Sequence, residues 1–325
     1  MATKLEDLTA AVPSVPFTIR QLECFVVVAD RGSISAAAEA LHASDSAVSD
    51  ALTAMERSLG AVLLHRRRSR GASLTSDGLA ILPIARRMLT AADELSSAVG
   101  RDAATLIGPV RVGAINTLAP VILPALIERM RMRYPGVRIE QRTGDQPELV
   151  DALEGAELDL LLTFDIDVPP ELHRRALFST EACLVVAANH PLAGRGAVAL
   201  DEVADEPMIL LDIHSSRVHT LELMSSRGVT PRIAFRTDNY ELCRAMVGRG
   251  LGYTLLMRRS INTQTWDGGR VVSVPIAPAP RSVDVLATWA HGAQPPRLVA
   301  LIEVAAEIGQ VTTLSRNSDS SGVDA

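Results

Sequence analysis

The sequence predicts an α/β protein in which a small, mainly helical module precedes a larger unit with two lobes. Three observations support this fold class. Apolar residues recur at helical spacing in three short segments near the N-terminus, and a longer segment with the same periodicity follows them. From residue 109 onward, strand and helix patterns alternate in two consecutive sets. A chain of 325 residues has room for two or more such domains.

The composition is that of a folded protein, because 47% of the residues are hydrophobic. No apolar run reaches the roughly 18 residues of a membrane span, and residues 1–17 lack the apolar segment of a signal peptide. We therefore expect a cytoplasmic protein without a membrane partner. Cys24, Cys183 and Cys243 are far apart and form no CxxC pair, so we expect buried free thiols and no metal site.

The distribution of charge matters more than its sum. The net charge of -6 argues against a chain that coats nucleic acid indiscriminately, but it averages over the domains. Residues 18–80 contain seven arginines and seven acidic residues, and four of these arginines fall within Arg66–Arg70. Positive charge is therefore concentrated in one segment, where an anion could be bound.

Helix-start signals divide the first sixty residues into three helices. Thr18 and Gln21 have the spacing of a capping box. Ser33 begins a second, alanine-rich helix whose small side chains allow a neighbouring helix to approach closely. Ser44 is the predicted N-cap of a third helix from Asp45 to about Ser58. Its predicted buried side consists of Val48, Leu52, Met55 and Leu59.

The other side of the third helix is short and polar, which suits a helix that enters the major groove of DNA. A predicted strand over 62–64, an arginine-rich tip and a return strand over 72–74 follow, and such a hairpin can contact phosphates or the minor groove. A solvated helical bundle with a charged loop would show the same residue types, but the clustered arginines favour DNA. The predicted DNA contacts are Ser33, Ser44, Asp45, Ser46, Ser49, Asp50, Thr53, Arg66, Arg67, Arg68, Arg70 and Thr75.

These residues also carry a family resemblance. Arg20-Gln21-Leu22 with Phe25, Gly32-Ser33 with Ala36–Ala38 and Leu41, Ala47-Val48-Ser49, Glu56 with Leu59-Gly60, and Leu74-Thr75 with Gly78 occur in one order. That order resembles the winged helix-turn-helix of LysR-type transcriptional regulators. The similarity spans roughly Thr18 to Leu89, and the layout of the chain up to about Ile308 is similar to the effector domain of that family.

Two acidic residues depart from the family pattern. The family usually has Gln-Pro where this chain has Asp45-Ser46, and a basic or amide residue where it has Asp50. A carboxylate repels phosphate but can accept a hydrogen bond from cytosine N4. Our interpretation at this stage is that Asp45 is the candidate base reader and that Asp50 faces solvent.

A single long helix is predicted from its N-cap Thr75 through Ala98, with a bend or break at Pro83. Its near-heptad apolar spacing indicates pairing with another helix, either in a second copy or within the same chain. The resemblance implies a dimer, and commonly a tetramer of paired dimers. The predicted dimerisation residues are Leu82, Ala85, Leu89, Ala92 and Leu95.

The remaining boundaries follow from composition and pattern. We expect disorder over 1–17 and 311–325, the DNA-binding domain over 18–76, and the linker helix and hinge over 77–108. An effector-binding domain over 109–310 would have lobe I at about 109–165 and 280–310, and lobe II at about 166–279, with a largely parallel sheet. Two such lobes resemble the periplasmic-binding-protein architecture, which the LysR-type effector domain shares.

Ligands of open α/β units bind where strands end and helices begin. The polar residues at those turns are Asn116, Thr117, Gln146, Asp165, Ser215, Ser216, Arg217 and Asn239. Their amides and hydroxyls, together with one arginine, favour an anion such as a carboxylate. Ser, Thr and Asn are also the ordinary caps of helices, so each residue has a purely structural alternative.

The sequence thus predicts a transcriptional regulator whose partners are operator DNA, further copies of itself, a small-molecule effector and RNA polymerase, with no prosthetic group. An enzyme is disfavoured because the chain has no Gly-rich phosphate loop, metal-ligand spacing or GxSxG turn. A solute-binding protein would not need the N-terminal module. An architectural DNA-binding protein with a ligand-free second half remains an alternative.

Overall fold

The computed structural model describes residues 15–67, 71–98, 106–257, 262–290 and 294–320. The chain divides into two compact units, one comprising Met1–Gly100 with Gly155–Glu157 and the other the remainder. The segments 1–14 and 321–325, for which the sequence predicts disorder, lie outside the described residues, as does most of the predicted hinge.

The first unit is a three-helix bundle with a two-stranded hairpin and a long helix. Its elements are α1 (Ile19–Arg31), α2 (Ile34–Ala40), α3 (Asp45–Leu59), β1 (Leu64–Arg67), β2 (Gly71–Leu74) and α4 (Ser76–Ala98). Apolar residues of α1, α2 and α3 form one core, which Leu82 and Ala85 of α4 complete. The predicted winged helix-turn-helix is confirmed, although β1 begins at Leu64 rather than at Val62.

Caps and glycines explain where these elements begin and end. The Thr18 hydroxyl accepts from the Gln21 amide at 3.2 Å, and the Gln21 side chain accepts from the Thr18 amide at 2.8 Å. Gly32 ends α1 in the left-handed conformation, with φ 69°. A Cβ on Gly71 would lie 2.3 Å from the Gly32 carbonyl oxygen, so the hairpin can pack against this turn only because residue 71 is glycine.

Lobe I of the second unit contains β3 (Gly108–Ile115), α5 (Ala119–Arg133), β4 (Val137–Gly144), α6 (Gln146–Glu154), β5 (Leu160–Phe164) and β6 (His173–Thr180), and the later β12 (Val283–Trp289) and α9 (Pro296–Ser320). Its sheet has the order β4-β3-β5-β12-β6. β3 is parallel to β4 and β5, whereas β12 is antiparallel to β5 and β6.

Lobe II contains β7 (Ala182–Ala187), a short 3-10 helix (Leu200–Val203), β8 (Pro207–Leu211), α7 (His214–Ser226), β9 (Arg232–Thr237), α8 (Tyr240–Gly248), β10 (Thr254–Met257) and β11 (Val271–Pro275). β7 lies between β10 and β11 and is antiparallel to both, whereas β8 and β9 are parallel. The predicted largely parallel sheet is therefore wrong for much of this lobe, because an apolar run identifies a strand but not its direction.

Two further boundaries need correction. β6 pairs with β12 in the lobe I sheet, so the change of lobe lies near Glu181 and not at residue 165. β6 escaped prediction because its first half, His173-Arg174-Arg175, is exposed at the sheet edge and shows no apolar alternation. α9 continues to Ser320 where the sequence predicts a disordered tail, since no glycine or proline interrupts it after Gly309.

Of the predicted bend or break at Pro83, the break is wrong, because α4 is continuous from Ser76 to Ala98. Proline removes one backbone hydrogen bond from the helix. Leu82 and Ala85 on either side of it are buried in the core of the first unit, and this packing holds the helix together. Within the described residues no helix has the length and apolar character that crossing a membrane requires.

Candidate functional site

The outward side of α3 is fixed by its core side. Val48, Leu52 and Met55 are almost inaccessible to solvent, and their spacing sets the rotation of the helix. Asp50 lies on the opposite side and is exposed, with Ser46 and Thr53 beside it. Short, exposed polar side chains of this kind suit a helix that contacts the major groove.

Several predicted DNA contacts already hold the local fold together. Ser33 and Ser44 are N-caps, whose hydroxyls accept from the Ala36 amide at 3.1 Å and the Ala47 amide at 3.2 Å. Thr75 caps α4 by accepting from the Gly78 amide at 3.0 Å, and it donates to the Val62 carbonyl at 2.6 Å. The Asp45 carboxylate accepts a hydrogen bond from the Ser35 hydroxyl, which ties the start of α3 to α2.

Arg66 lies on strand β1 and turns back toward α3, so its predicted place in the hairpin tip is wrong. Its guanidinium pairs with the Glu56 carboxylate at 2.6 Å and donates to Thr53 Oγ1 at 3.0 Å and Ser49 Oγ at 3.3 Å. The other Glu56 oxygen accepts from the backbone amides of Leu63 and Leu64 at 2.9 and 3.2 Å. Glu56 therefore joins the hairpin to the recognition helix, because one carboxylate serves both. Arg68, Arg70 and the side chain of Arg67 lie outside the described residues.

A cavity in the second unit lies among strand ends and helix starts of both lobes. It encloses about 300 Å³, including its open mouth. Lobe I contributes Thr117, Phe164 and Ile166, and lobe II contributes Leu211, Ser215, Ser216, Tyr240, Leu256 and Met257. The lining is therefore apolar apart from four hydroxyl groups, and none of the lining residues carries a charge.

The start of α7 gives this cavity its polarity. Ile213, the N-cap residue, provides no side-chain hydrogen bond. The His214 amide donates to the Asp145 carboxylate of lobe I at 3.2 Å, and His214 Nε2 lies 2.8 Å from Asp167 Oδ2. Among the described residues, the amides of Ser215 and Ser216 have no acceptor. Free amides at a helix start attract an anion.

Comparison with known proteins identifies both units. Residues 19–79 match the family described as bacterial regulatory helix-turn-helix protein, lysR family, and residues 103–309 match the LysR substrate binding domain. This chain belongs to the LysR family. LysR-type proteins are transcriptional regulators that bind operator DNA, take a small-molecule effector in the C-terminal domain and form oligomers. They are not enzymes.

Three LysR-type relatives illustrate the similarity. The C-terminal domain of a probable LysR family regulator from Rhodococcus sp. RHA1 is 39% identical, covers 62% of this chain and 99% of its own, and superimposes with a TM-score of 0.60. The structure of HinK from Pseudomonas aeruginosa is 33% identical over 90% of this chain and 98% of its own, with a TM-score of 0.58. The probable hydrogen peroxide-inducible genes activator of Mycobacterium avium is 32% identical over 75% of this chain and 79% of its own length.

In this LysR-type chain, three of the eight predicted effector contacts line the cavity, namely Thr117, Ser215 and Ser216. Gln146 is buried away from the cavity, because its amide donates to the Ile166 carbonyl at 2.6 Å and accepts from Thr163 Oγ1 at 2.9 Å. Asn239 is an N-cap, and its side chain accepts from the amides of Glu241 and Leu242. Both side chains stabilise the local fold, and neither residue is among those that line the cavity.

Three more predicted contacts are also displaced from the cavity lining. The Arg217 guanidinium pairs with Asp212 at 2.7 Å and thereby holds the pKa of that carboxyl below its ordinary value. Asp165 pairs with Arg174 at 3.1 Å. The Asn116 side chain is exposed to solvent. The apolar lining, with Phe164 and Leu256 among it, was missed because strand-end apolar residues look like ordinary core in the sequence.

The predicted dimerisation seam of α4 is partly wrong. Leu82 and Ala85 are 8% and 1% exposed, because they pack against the N-terminal core of their own chain. Leu89 is half-buried against the same core. Among the described side chains, the large apolar ones that α4 leaves exposed are Leu79, Ile84 and Leu95, with exposed fractions of 61%, 47% and 72%. Of the predicted seam, Leu95 is therefore available to a partner helix, and Ile84 lies on the same side of α4.

Proposed function

We propose that this LysR-type regulator responds to a small carboxylate-bearing molecule that binds in the cavity of the second unit. The observation that carries the proposal is the start of α7, where Ser215 and Ser216 line the cavity and their amides have no acceptor in the described part of the chain. A carboxylate there would accept two amide hydrogen bonds and gain from the helix dipole.

The rest of the lining selects the body of the molecule. Phe164, Ile166, Leu211, Leu256 and Met257 form an apolar wall, so the group attached to the carboxylate is compact and largely apolar. Thr117 and Tyr240 add hydroxyls that can bind one further polar substituent. Because the volume of about 300 Å³ includes the open mouth, the enclosed part of the cavity is small, which favours a ligand of few heavy atoms.

Two carboxylates of the protein, Asp145 and Asp167, lie at the same helix start, and each already has a hydrogen-bond partner. Asp145 accepts from the Gln146 amide at 2.8 Å as well as from His214, and Asp167 lies against the His214 ring. The two contacts of His214, with Asp145 and Asp167, join the two lobes beside the cavity. An effector that alters them changes the free-energy difference between arrangements of the lobes, which is how binding can control activity.

The test is thermal denaturation of the full-length protein with a panel of small carboxylic acids, each paired with its amide. A ligand that binds only the folded state at about 100 times its Kd stabilises that state by about 2.7 kcal/mol. We expect acids to raise the Tm and the paired amides to have little effect. Ser216→Leu should abolish the response, whereas Ser225→Leu, at the exposed end of the same helix, should preserve it. Stabilisation by the amides alone would contradict the proposal.

Thiol oxidation is the alternative raised by the relative from Mycobacterium avium, whose name refers to hydrogen peroxide. The cysteines of this chain do not line the cavity, and all three are buried. Burial raises the pKa of Cys243 to about 11, so its thiol stays protonated and a poor nucleophile. We therefore propose noncovalent effector binding without a prosthetic group, and operator binding that peroxide leaves unchanged.

We further propose that two copies pair through α4 and that such dimers associate into tetramers. The exposed Ile84 and Leu95 lie three helical turns apart on one side of α4, and an apolar stripe of this kind favours a partner helix. A dimer places two recognition helices on a palindromic operator. We expect the regulator to act in the cytoplasm, where the chromosome lies, and to contact RNA polymerase when it is bound at a promoter.

A further inference from the structure

Asp50 lies on the outward side of the recognition helix. A helix advances about 100° per residue, so the buried positions Val48, Leu52 and Met55 define one side and Asp50 lies nearly opposite to their mean direction. The Asp50 side chain is exposed. Among the described residues it has neither an ion pair nor a side-chain hydrogen bond. When α3 enters the major groove, Asp50 points toward the base edges.

The neighbours of Asp50 are less free to read bases. Asp45 accepts from Ser35 and lies on the side of α3 that contacts α2. Ser49 and Thr53 both accept from the Arg66 guanidinium, which Glu56 holds in place. These contacts favour the reverse of the sequence-based interpretation, because Asp45 is tied to α2 whereas Asp50 is exposed without a side-chain partner among the described residues.

We propose that Asp50 is a specificity-determining residue that selects cytosine at one position of each operator half-site, by accepting a hydrogen bond from its N4 amino group. This inference rests on operator binding by α3, and it goes further by naming the base that one residue of α3 reads.

The chemistry of the groove selects cytosine over the other bases. Guanine presents the acceptors N7 and O6 and thymine presents O4, so each repels a carboxylate. Adenine offers its N6 amino group beside the acceptor N7, which again faces the carboxylate with a lone pair. Cytosine offers its N4 amino donor, and its own groove edge carries no acceptor, although the O6 of the paired guanine lies on the other side. Asp50 thus favours one base and penalises three.

A carboxylate in the groove also meets the phosphates, and this repulsion does not depend on sequence. Arg57 lies two turns further along the same side of α3 and is exposed, so it can offset part of that cost. Phosphate repulsion is the same on every DNA sequence, whereas base reading is not. Removal of the Asp50 charge should therefore strengthen binding if the charge only repels phosphates, and weaken binding to the preferred site if it reads a base.

The experiment is selection from a library of randomised DNA duplexes with the full-length dimeric protein at fixed salt, followed by competition binding on the recovered site and its single-base variants. We expect the wild type to discriminate for cytosine by roughly 5- to 150-fold at one position of each half-site, the range of a good base contact. Asp50→Asn should weaken binding to that site and shift the preferred base to adenine, because an amide can bond to both N6 and N7 of adenine. Asp50→Ala should lose preference at that position and keep it elsewhere.

Asp45→Asn is the matched control, because it removes one charge from the same helix without changing the groove-facing side. It should keep the wild-type consensus. The proposal is overturned if Asp50→Asn and Asp50→Ala recover the wild-type consensus and bind every sequence more tightly, since that is the signature of phosphate repulsion alone. It is also overturned if Asp45→Asn changes the consensus and Asp50→Asn does not. Failure of the wild type to enrich any sequence would overturn sequence reading by α3 as a whole, and not only the role of Asp50.

Discussion

Replacing Glu56 tests how the hairpin is joined to the recognition helix. In Glu56→Ala the amides of Leu63 and Leu64 lose their acceptor, and both residues are buried, with exposed fractions of 0% and 3%. Each buried amide left without a partner costs about 1–3 kcal/mol, so the substitution should destabilise the first unit by about 2–6 kcal/mol. The ion pair with Arg66 adds little, because that guanidinium is partly exposed.

The chain offers two optical signals that separate its units. Both tryptophans, Trp266 and Trp289, lie in the second unit, so their fluorescence follows that unit alone during urea unfolding. Circular dichroism follows the helices of both units. In Glu56→Ala we expect part of the circular dichroism signal to be lost at lower urea concentration, while the fluorescence midpoint stays at its wild-type value.

Two further variants separate loss of the hydrogen-bond acceptor from loss of a negative charge. Glu56→Gln keeps an acceptor for the two amides and loses only the charge, so it should cost much less, about 1 kcal/mol. Glu39→Ala removes an exposed glutamate from α2 and should have an effect within about 0.5 kcal/mol. The reasoning is refuted if Glu56→Ala unfolds like Glu39→Ala, or if its fluorescence and circular dichroism transitions shift together.

Three further predictions concern individual side chains. Burial lowers the pKa of His219, and the nearby charge of Glu222 opposes this shift only in part. The unfolded chain therefore takes up the proton first, and the second unit should lose stability as pH falls below 6.5. In His219→Gln, the urea midpoint from tryptophan fluorescence should depend less on pH, and an unchanged pH dependence would count against His219 as the cause. Asn239→Ala should cost about 1 kcal/mol as a lost N-cap and leave the Tm response to carboxylates intact, whereas loss of that response would make Asn239 an effector contact. Leu95→Glu should raise the dissociation constant of the dimer in sedimentation experiments, and Glu39→Ala should not; equal dissociation constants would place the dimer contact elsewhere.

Local sequence signals predicted the helical half of this protein well. Thr18, Ser33 and Ser44 each hydrogen-bond an amide within three residues, and Gly32 and Gly60 end helices by adopting positive φ. These contacts depend on neighbours along the chain, so residue type and spacing suffice to recognise them. Strand direction depends on partners far away in sequence. β6 joined the lobe I sheet through pairing with β12, about a hundred residues later, and no local pattern indicates that.

For the candidate effector contacts too, local sequence identifies the residue type but not its partners in the fold. Ser, Asn and Gln at helix starts look alike in the sequence, but they differ in whether another part of the chain already uses their oxygen and nitrogen atoms. Asn239 completes the first turn of its own helix, and Gln146 reaches the backbone of Ile166, twenty residues away. Ser215 and Ser216 follow Ile213, which cannot cap, so their amides have no acceptor among the described residues. Leu118 is an apolar N-cap as well, so an uncapped helix start becomes a candidate ligand site only where, as at Ser215 and Ser216, the first residues of the helix line a cavity.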